Sequence, residues 1–195
     1  IWVGANDGPV HVTFDGGKNW KNVTPNINIK GGRVDSVEPS THNSSKAFVT
    51  ILRYQLGDWK PYIYRTYDKG NSWDLVTKGI PSDHPVRVLR EDPKREGLLF
   101  AGTEFGMFIS FDDGNTWNSF QQNLPVTPIT DIKIHRNDVV LSTMGRSFWI
   151  MDNIDILRNF DNKNDDILYP ITNTIRYRYR PSSSNHVSYP QNSVI

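Results

Sequence analysis

Three near-copies of one short phrase constrain this chain more than any other feature. Each copy begins with Thr or Ser, continues through Asp and Gly, and ends in Trp; the copies occupy residues 13–20, 66–73 and 110–117. A phrase that recurs at intervals of about 40 to 55 residues indicates one supersecondary unit used several times. The chain is therefore predicted to fold as a repeat protein.

Strand-like runs surround each phrase in the same order. The run before it covers residues 10–14, 62–67 and 107–111, and the run after it covers residues 20–25, 73–81 and 117–125. Two further runs lie upstream, the first at residues 33–39, 86–93 and 129–135, and the second at residues 47–53, 98–103 and 139–143. Four short strands per unit, with turn residues between them and no helices, are typical of β-propeller blades. The predicted fold class is all-β, with four-stranded antiparallel blades.

The periodicity also predicts how the chain is divided. Residues 1–26 are expected to form a partial blade, 32–82 and 84–126 complete blades, and 129–155 a further partial blade. Two complete and two partial blades cannot close a ring, so we expect an incomplete propeller segment over residues 1–157. The start without Met suggests a longer protein that supplies the remaining blades. Residues 158–195, rich in Asn, Asp, Ser and Pro, are expected to form a C-terminal extension.

The phrase has the chemistry of a tight turn. Its hydroxyl and carboxylate can accept bonds from nearby backbone amides, its Gly can adopt a positive φ, and its Trp is expected to pack over the turn. We assign a structural role to all three sets: Thr13, Asp15, Gly17 and Trp20; Thr66, Asp68, Gly70 and Trp73; Ser110, Asp112, Gly114 and Trp117.

These phrases resemble the Asp-box, or BNR repeat, with the pattern Ser/Thr-x-Asp-x-Gly-x-Thr/Ser-Trp. The first copy has Asn19 where Ser or Thr is usual, which is expected to weaken one hydrogen bond. Asp-boxes occur in sialidases, in xyloglucanase-type glycoside hydrolases and in the sortilin/Vps10 receptors. Residues 99–117 resemble bacterial sortilin-like repeat proteins that are labelled glycosyl hydrolases, and residues 144–152 resemble the stretch that closes their propeller. The resemblance implies that the box aspartates are structural and lie opposite the sialidase active face.

Composition narrows the function classes. The chain has 22 basic and 21 acidic residues, so no bulk field attracts nucleic acid. It has no Cys, and its five His lack metal-ligand spacing, so no metal or cofactor is predicted. No apolar run approaches the roughly 18 residues of a membrane span.

Two local sequences near the C-terminus are also relevant to function. Residues 161–166 lack the Gly and Glu of a calcium loop. Residues 176–180, which alternate Arg and Tyr, suggest a charged edge strand.

Blade topology predicts where a ligand would bind. In an up-and-down blade the turns after strand two lie on the face opposite the Trp-ending phrases. This places a candidate ligand-binding set on one rim near the channel: Asp7, Asp58, Trp59, Glu104 and Arg146. An aromatic side chain beside carboxylates and arginine suits a sugar or a peptide, whereas Asp-Gly and Glu-x-Gly are also ordinary hairpin sequences.

Two functions remain open at this stage. The first is a non-catalytic binding propeller of a larger exported protein, which is extracellular, periplasmic or on the cell surface and recognises a protein, peptide or glycan. The second is part of a sialidase-like or xyloglucanase-like hydrolase whose catalytic residues lie largely upstream. A glycosidase needs two carboxylates at defined separation. No such pair can be assigned here, so no catalytic residue is predicted.

Overall fold

The protein forms four antiparallel β-sheets, as seen in a computed structural model that describes residues 1–26, 31–160 and 169. Sheet 1 contains β1 (Trp2–Gly4), β2 (Val10–Val12) and β3 (Lys21–Asn22). Sheet 2 contains β4 (Arg33–Pro39), β5 (Ala47–Leu52), β6 (Ile63–Thr66) and β7 (Asp74–Leu75). Sheet 3 contains β8 (Val86–Glu91), β9 (Leu99–Thr103), β10 (Met107–Ser110) and β11 (Asn118–Ser119). Sheet 4 contains β12 (Ile129–His135), β13 (Asp138–Thr143) and β14 (Phe148–Met151), followed by helix α1 (Asp155–Asn159).

Strand order confirms the predicted fold class. Within each sheet the strands pair in sequence order and antiparallel, which is the meander of a propeller blade. The inner strands β4, β8 and β12 lie side by side, so the sheets are arranged around a common axis. The outer strands β3, β7 and β11 are shorter than the sequence predicted, and for β7 and β11 the reason is that the chain turns back at residues 77–80 and 121–124. The predictions for residues 161–166 and 176–180 lie outside the described residues.

Within the described residues the core consists of three apolar clusters, one in each seam between consecutive sheets. The middle cluster shows how a seam is built: Phe48 of sheet 2 and Leu99 of sheet 3 are both fully buried there. The other two clusters occupy the seams between sheets 1 and 2 and between sheets 3 and 4. Sheets 2 and 3 therefore bury apolar side chains against a neighbour on each side, and sheets 1 and 4 against their one neighbour, as expected for stacked blades.

Tryptophan side chains join consecutive sheets at their outer ends. We call the turns at residues 13–20, 66–73 and 110–117 the Trp turns. The Trp73 Nε1 donates to the Val23 carbonyl at 2.7 Å, and the Trp117 Nε1 donates to the Val76 carbonyl at 2.9 Å. Gly70 has a φ of 82°, and a Cβ on it would lie 2.7 Å from the Cβ of Val23. The close approach of Gly70 thus brings the second Trp turn against sheet 1.

The sequence predicted that each indole packs over its own turn, and the structure differs for Trp73 and Trp117. Trp73 and Trp117 reach the preceding sheet, which lies close enough to supply both apolar contacts and a carbonyl acceptor. Trp20 has no preceding sheet among the described residues; its indole donates to the Gly17 carbonyl at 3.1 Å and is 45% exposed. The partner of the indole is therefore set by the neighbouring blade.

A buried lysine adds an ionic contact between sheets 2 and 3. The Lys46 Nζ lies 2.7 Å from Glu91, 2.9 Å from Glu96 and 3.1 Å from Asp113. Burial on its own would lower the pKa of Lys46, but the hydrogen bonds to these three carboxylates outweigh it and raise the pKa. Lys46 therefore stays charged within the seam.

Truncating the buried indole tests the seam. Trp117 is 3% exposed, and we expect Trp117→Ala to lower the free energy of unfolding by about 3–5 kcal/mol. The matched variant Trp20→Ala removes an exposed indole and should cost less than about 1 kcal/mol. Urea unfolding monitored by circular dichroism measures both values. Similar losses in the two variants would contradict this account of the seam.

Removing the buried cation tests the ionic contact. The Lys46 and Glu91 side chains are 0% and 1% exposed, so Lys46→Met leaves a buried carboxylate without its cation. We expect a loss of about 3–5 kcal/mol in unfolding free energy. The double variant Lys46→Met/Glu91→Leu removes both charges and should recover much of that loss. A double variant less stable than the single one would show that the charge pair does not govern this seam.

Candidate functional site

The carboxylates of the Trp turns are fully engaged inside their own turns. Asp68 Oδ1 accepts from the Thr66 hydroxyl and from the Ser72 amide, both at 2.8 Å, and Oδ2 accepts from the Ser72 hydroxyl at 2.7 Å. Asp112 makes the same three bonds to Ser110 and Thr116. Asp15 bonds Thr13 and Asn19 in the same way.

Asn19 does not weaken this pattern, contrary to the sequence-based expectation. Its side-chain amide donates to Asp15 Oδ2 at 2.7 Å, as close as the Ser72 hydroxyl lies to Asp68. The Asn side chain is long enough to bring an N–H group to the position that a Ser or Thr hydroxyl occupies elsewhere.

Hydrogen bonding keeps these carboxylates ionised. The bonds from Ser72 lower the pKa of Asp68 to about 2, and the bonds from Asn19 lower that of Asp15 to about 2. Burial opposes the shift at Asp112, but the bonds from Thr116 and Ser110 still lower its pKa. A carboxylate that stays ionised and saturated with donors is unsuited to general acid catalysis.

The face opposite the Trp turns carries a continuous group of rings, which we call the aromatic rim: Tyr54, Trp59, His84 and Phe105. The ring centroids of Trp59 and Phe105 are 6.4 Å apart with planes inclined by 24°. Tyr54 lies 5.8 Å from Trp59, and His84 lies 4.8 Å from Phe105. Trp59 is 46% and Phe105 is 37% exposed, so the rim presents aromatic surface to solvent.

Two turns and one link bring the aromatic rim together. Tyr54 and Trp59 lie in the β5–β6 connection, where a short 3₁₀ turn at Tyr54–Leu56 ends at Gly57 with a φ of 76°. Phe105 lies in the β9–β10 turn, whose Thr103 hydroxyl accepts from the Phe105 amide at 3.1 Å. His84 lies on the link between sheets 2 and 3. The rim therefore spans the boundary between two blades.

A row of alternating charges lies beneath the aromatic rim. Arg87 on β8 contacts Glu104 at 2.6 Å and Asp35 at 3.8 Å, and Arg33 contacts Asp35 at 2.6 Å. The Arg87 guanidinium also lies 5.7 Å from the centre of the Tyr54 ring. Burial raises the pKa of Asp35 despite the two neighbouring arginines. Arg87 therefore joins the charged side chains of sheets 2 and 3 to each other and to the aromatic rim.

Asp58 is held by a second set of contacts in the same connection. It accepts from the Arg53 Nε at 2.9 Å, from the Tyr62 hydroxyl at 2.7 Å and from the Lys60 amide at 3.3 Å. Burial would raise the pKa of Asp58, but the bonds from Tyr62 and Arg53 lower it. Its carboxylate therefore orders the β5–β6 connection as a fixed anion.

The structure groups three of the five residues that the sequence proposed. Trp59 belongs to the aromatic rim, Asp58 precedes it, and Glu104 precedes Phe105 and pairs with Arg87. Asp7 in the β1–β2 turn and Arg146 in the β13–β14 turn are exposed. Within the described part of the chain, no side-chain contact joins either of them to the rim.

Sequence reasoning did not single out Tyr54, Phe105, His84 or Arg87 as site residues. Phe105 had a usable signal, since a large apolar residue at the tip of a hairpin turn is uncommon. Arg87 had none, because its role depends on Glu104 from the neighbouring hairpin and Asp35 from the neighbouring sheet.

Over the described residues, no group of His, Asp and Glu is arranged to hold a metal ion. In the same part of the chain, no helix has the length and apolarity to cross a membrane.

Comparison with known proteins identifies relatives by structure only. No family model and no curated protein sequence matches the chain. A structure of YCF48 bound to D1 peptide is similar with a TM-score of 0.58 and 15% identity, covering 77% of this chain and 47% of that one. The GH74 xyloglucanase from Xanthomonas campestris is similar with a TM-score of 0.58 and 15% identity, covering 79% of this chain and 25% of the enzyme.

A third similar structure is the extracellular domain of a protein assigned as a hybrid two component system of B. thetaiotaomicron. Its TM-score is 0.55 at 14% identity, and the match covers 77% of this chain and 19% of that one. The chain thus spans about half the length of the YCF48 structure and a quarter or less of the other two. At these identities the likeness shows the fold alone, and that fold is the β-propeller.

The depressed pKa of Asp68 predicts acid sensitivity. Because its folded-state pKa of about 2 is below the ordinary 3.8, the unfolded chain binds more protons between these values. The free energy of unfolding should therefore fall as the pH drops from about 4 to about 2. Ser72→Ala removes one donor, so it should raise the Asp68 pKa and make this decline shallower. Carboxyl NMR titration and urea unfolding at several pH values measure the two effects; an Asp68 that titrates near 4 would contradict the assignment.

Proposed function

We propose that this chain is a non-catalytic binding segment of a β-propeller and that the aromatic rim recognises a protein, peptide or glycan. The observation that carries the proposal is the exposed stack of Trp59 and Phe105 across the boundary between sheets 2 and 3. Exposed aromatic rings offer large contact area at low entropic cost, which favours apolar side chains or sugar faces as ligands.

The charges around the rim favour binding over hydrolysis. A glycosidase needs one carboxylic acid with a raised pKa and a second carboxylate at a defined separation. Asp58 has a lowered pKa and is held by Arg53 and Tyr62, while Glu104 is paired with Arg87. These groups can orient a polar ligand by hydrogen bonds at the edge of an apolar platform.

The comparison structures support this assignment at the level of the fold. YCF48 has been captured with a peptide, so a protein of similar fold binds a polypeptide. We further propose that the Trp turns are Asp-boxes of the sortilin-like kind. Residues 1–157 form the propeller segment, and residues 158–195 are a C-terminal extension. Other blades of a longer exported protein complete the propeller. The exposed indole of Trp20 supports further blades, because its counterparts Trp73 and Trp117 each bind a preceding sheet.

Hydrolysis remains a second candidate because of one observation. Asp35 has a raised pKa and shares Arg87 with Glu104, which places two carboxyl groups on one cation. As part of a sialidase-like or xyloglucanase-like enzyme, this pair would act with catalytic residues from elsewhere in the protein.

A matched pair of tryptophan variants tests the rim. The protein is screened against a glycan array and a displayed peptide library, and the ligands recovered are titrated with each variant. Trp59 and Trp20 are 46% and 45% exposed, so Trp59→Ala and Trp20→Ala remove equally accessible rings. We expect Trp59→Ala to weaken binding at least about tenfold and Trp20→Ala to leave it unchanged.

The enzymatic alternative is tested on the same protein with chromogenic glycosides. Turnover that disappears in Glu104→Gln or Asp35→Asn would replace the binding assignment with a hydrolase. Ligands whose affinity is insensitive to Trp59→Ala would place recognition away from the aromatic rim.

A further inference from the structure

Two rings of the aromatic rim have polar groups with no hydrogen-bond partner in the described part of the chain: the Trp59 indole N–H and the Tyr54 hydroxyl. Other indoles differ, since several donate to a backbone carbonyl: Trp20, Trp73, Trp117 and Trp149. An indole N–H can only donate, and a phenol hydroxyl can donate as well as accept. The side chain of Lys60, next to Trp59 in the sequence, is exposed and can only donate. The rim therefore offers a ligand mainly hydrogen-bond donors.

The carboxylates beside the two exposed rings are already bonded to protein groups. Asp58 accepts from Arg53 at 2.9 Å and from Tyr62 at 2.7 Å. Glu104 lies 2.6 Å from the Arg87 guanidinium. The Asp58 and Glu104 side chains are only 20% and 12% exposed. These acceptors therefore have little capacity left for an N–H or hydroxyl group of a ligand.

The rings of the aromatic rim are arranged as a row. Among the described residues, ring contacts within the rim join only neighbours in the order Tyr54, Trp59, Phe105 and His84. Successive centroids are 5.8, 6.4 and 4.8 Å apart. A row of rings suits an extended ligand that contacts several rings in succession.

We propose that the aromatic rim binds a proline-rich segment of a partner protein in the polyproline II conformation. This inference rests on the proposed binding role of the rim and names its ligand. The pyrrolidine rings pack on Trp59 and Phe105, and the Trp59 N–H and the Tyr54 hydroxyl donate to carbonyls of the segment. Aromatic surfaces bind proline-rich segments in this way in several unrelated folds.

The hydrogen-bonding groups of such a segment match those of the rim. Proline has no backbone N–H, and a polyproline II helix has no internal hydrogen bonds, so the segment presents carbonyl acceptors and few donors. The same edge of the helix returns after three residues, or about 9 Å, so one edge meets successive rings of the row. The segment is also ordered before it binds, which lowers the entropic cost of association.

A sugar or an ordinary peptide matches the rim less well. Sugar hydroxyls and peptide N–H groups are donors, and a donor that is buried without an acceptor costs free energy. Asp58 and Glu104, the acceptors beside Trp59 and Phe105, are engaged by arginines. A ligand without donors avoids this cost.

Further blades of the propeller would leave the rim uncovered. Trp59 and Phe105 lie at the ends of sheets 2 and 3, and both of these sheets already have a neighbouring sheet on each side. Because blades stack face to face, additional blades lie beside sheets 1 and 4. The rim is therefore accessible to a partner in a longer propeller as well.

A nonaproline peptide is the direct probe. A matched peptide has Leu at its three central positions, which keeps apolar side chains but adds three N–H groups and breaks the polyproline II helix. Both are titrated into the full isotope-labelled chain and followed by NMR. We expect the nonaproline peptide to shift the Trp59 indole N–H signal and to leave the signals of Trp73 and Trp117, which already bond carbonyls, unchanged. Affinity for the Leu peptide should be at least about tenfold weaker.

Variants that keep a ring but remove its donor test the hydrogen bonds. Trp59→Phe and Tyr54→Phe should each weaken nonaproline binding by about threefold to tenfold. Trp20→Phe and Tyr67→Phe make the same changes at rings that are 45% and 46% exposed and lie in Trp turns, so they should leave binding unchanged. Circular dichroism and thermal unfolding establish that all four variants fold.

The outcomes separate this inference from the proposed function. Equal affinity for the two peptides, or full affinity in both Trp59→Phe and Tyr54→Phe, would show that the rim does not select a proline-rich segment. An oligosaccharide such as cellohexaose that binds in a Trp59-dependent manner, while nonaproline does not, would overturn the ligand and leave the binding role of the rim in place. If no ligand depends on Trp59, both the inference and the proposed function are wrong.

Discussion

The architecture depends on burying an indole of one sheet against the backbone of the sheet before it. A two-residue outer strand such as β7 or β11 buries little apolar surface on its own. The Trp that precedes it supplies a large apolar area and satisfies a carbonyl that would otherwise be unpaired at the sheet edge. Consecutive blades therefore stabilise each other, and each blade is incomplete without a neighbour.

As a result, the side chains at the two ends of each sheet have different roles. At the Trp-turn end, polar side chains are already bonded to one another. The hydroxyls and carboxylates order the turns, and Lys46 forms ion pairs that join two sheets. At the opposite end, Trp59 and Phe105 stack across the boundary between sheets 2 and 3 and remain exposed. A rigid scaffold with its aromatic surface at one end is suited to recognition.

The sequence predicted much of the local structure. The Ser/Thr-to-Trp phrase indicated the turns, and the alternating runs indicated the strands, because a turn's hydrogen bonds connect residues only two to four positions apart. It also indicated Asp58, Trp59 and Glu104, since topology places every turn after a second strand on the same face. Asn19 shows where residue-type reasoning failed: its amide reaches as far as the usual hydroxyl.

The sequence could not predict three contacts. These are the carbonyl that accepts each indole N–H, the ring that stacks on Trp59 and the cation that pairs with Glu104. Each contact joins residues that are far apart in sequence and come from different hairpins or sheets, as in the pairs Val23 with Trp73 and Trp59 with Phe105. The amino-acid sequence by itself determined the repeat, its turns and the order of its strands, because those depend on short-range geometry. Only the tertiary structure decided which surfaces are filled and which are open, because that depends on the stacking of whole sheets.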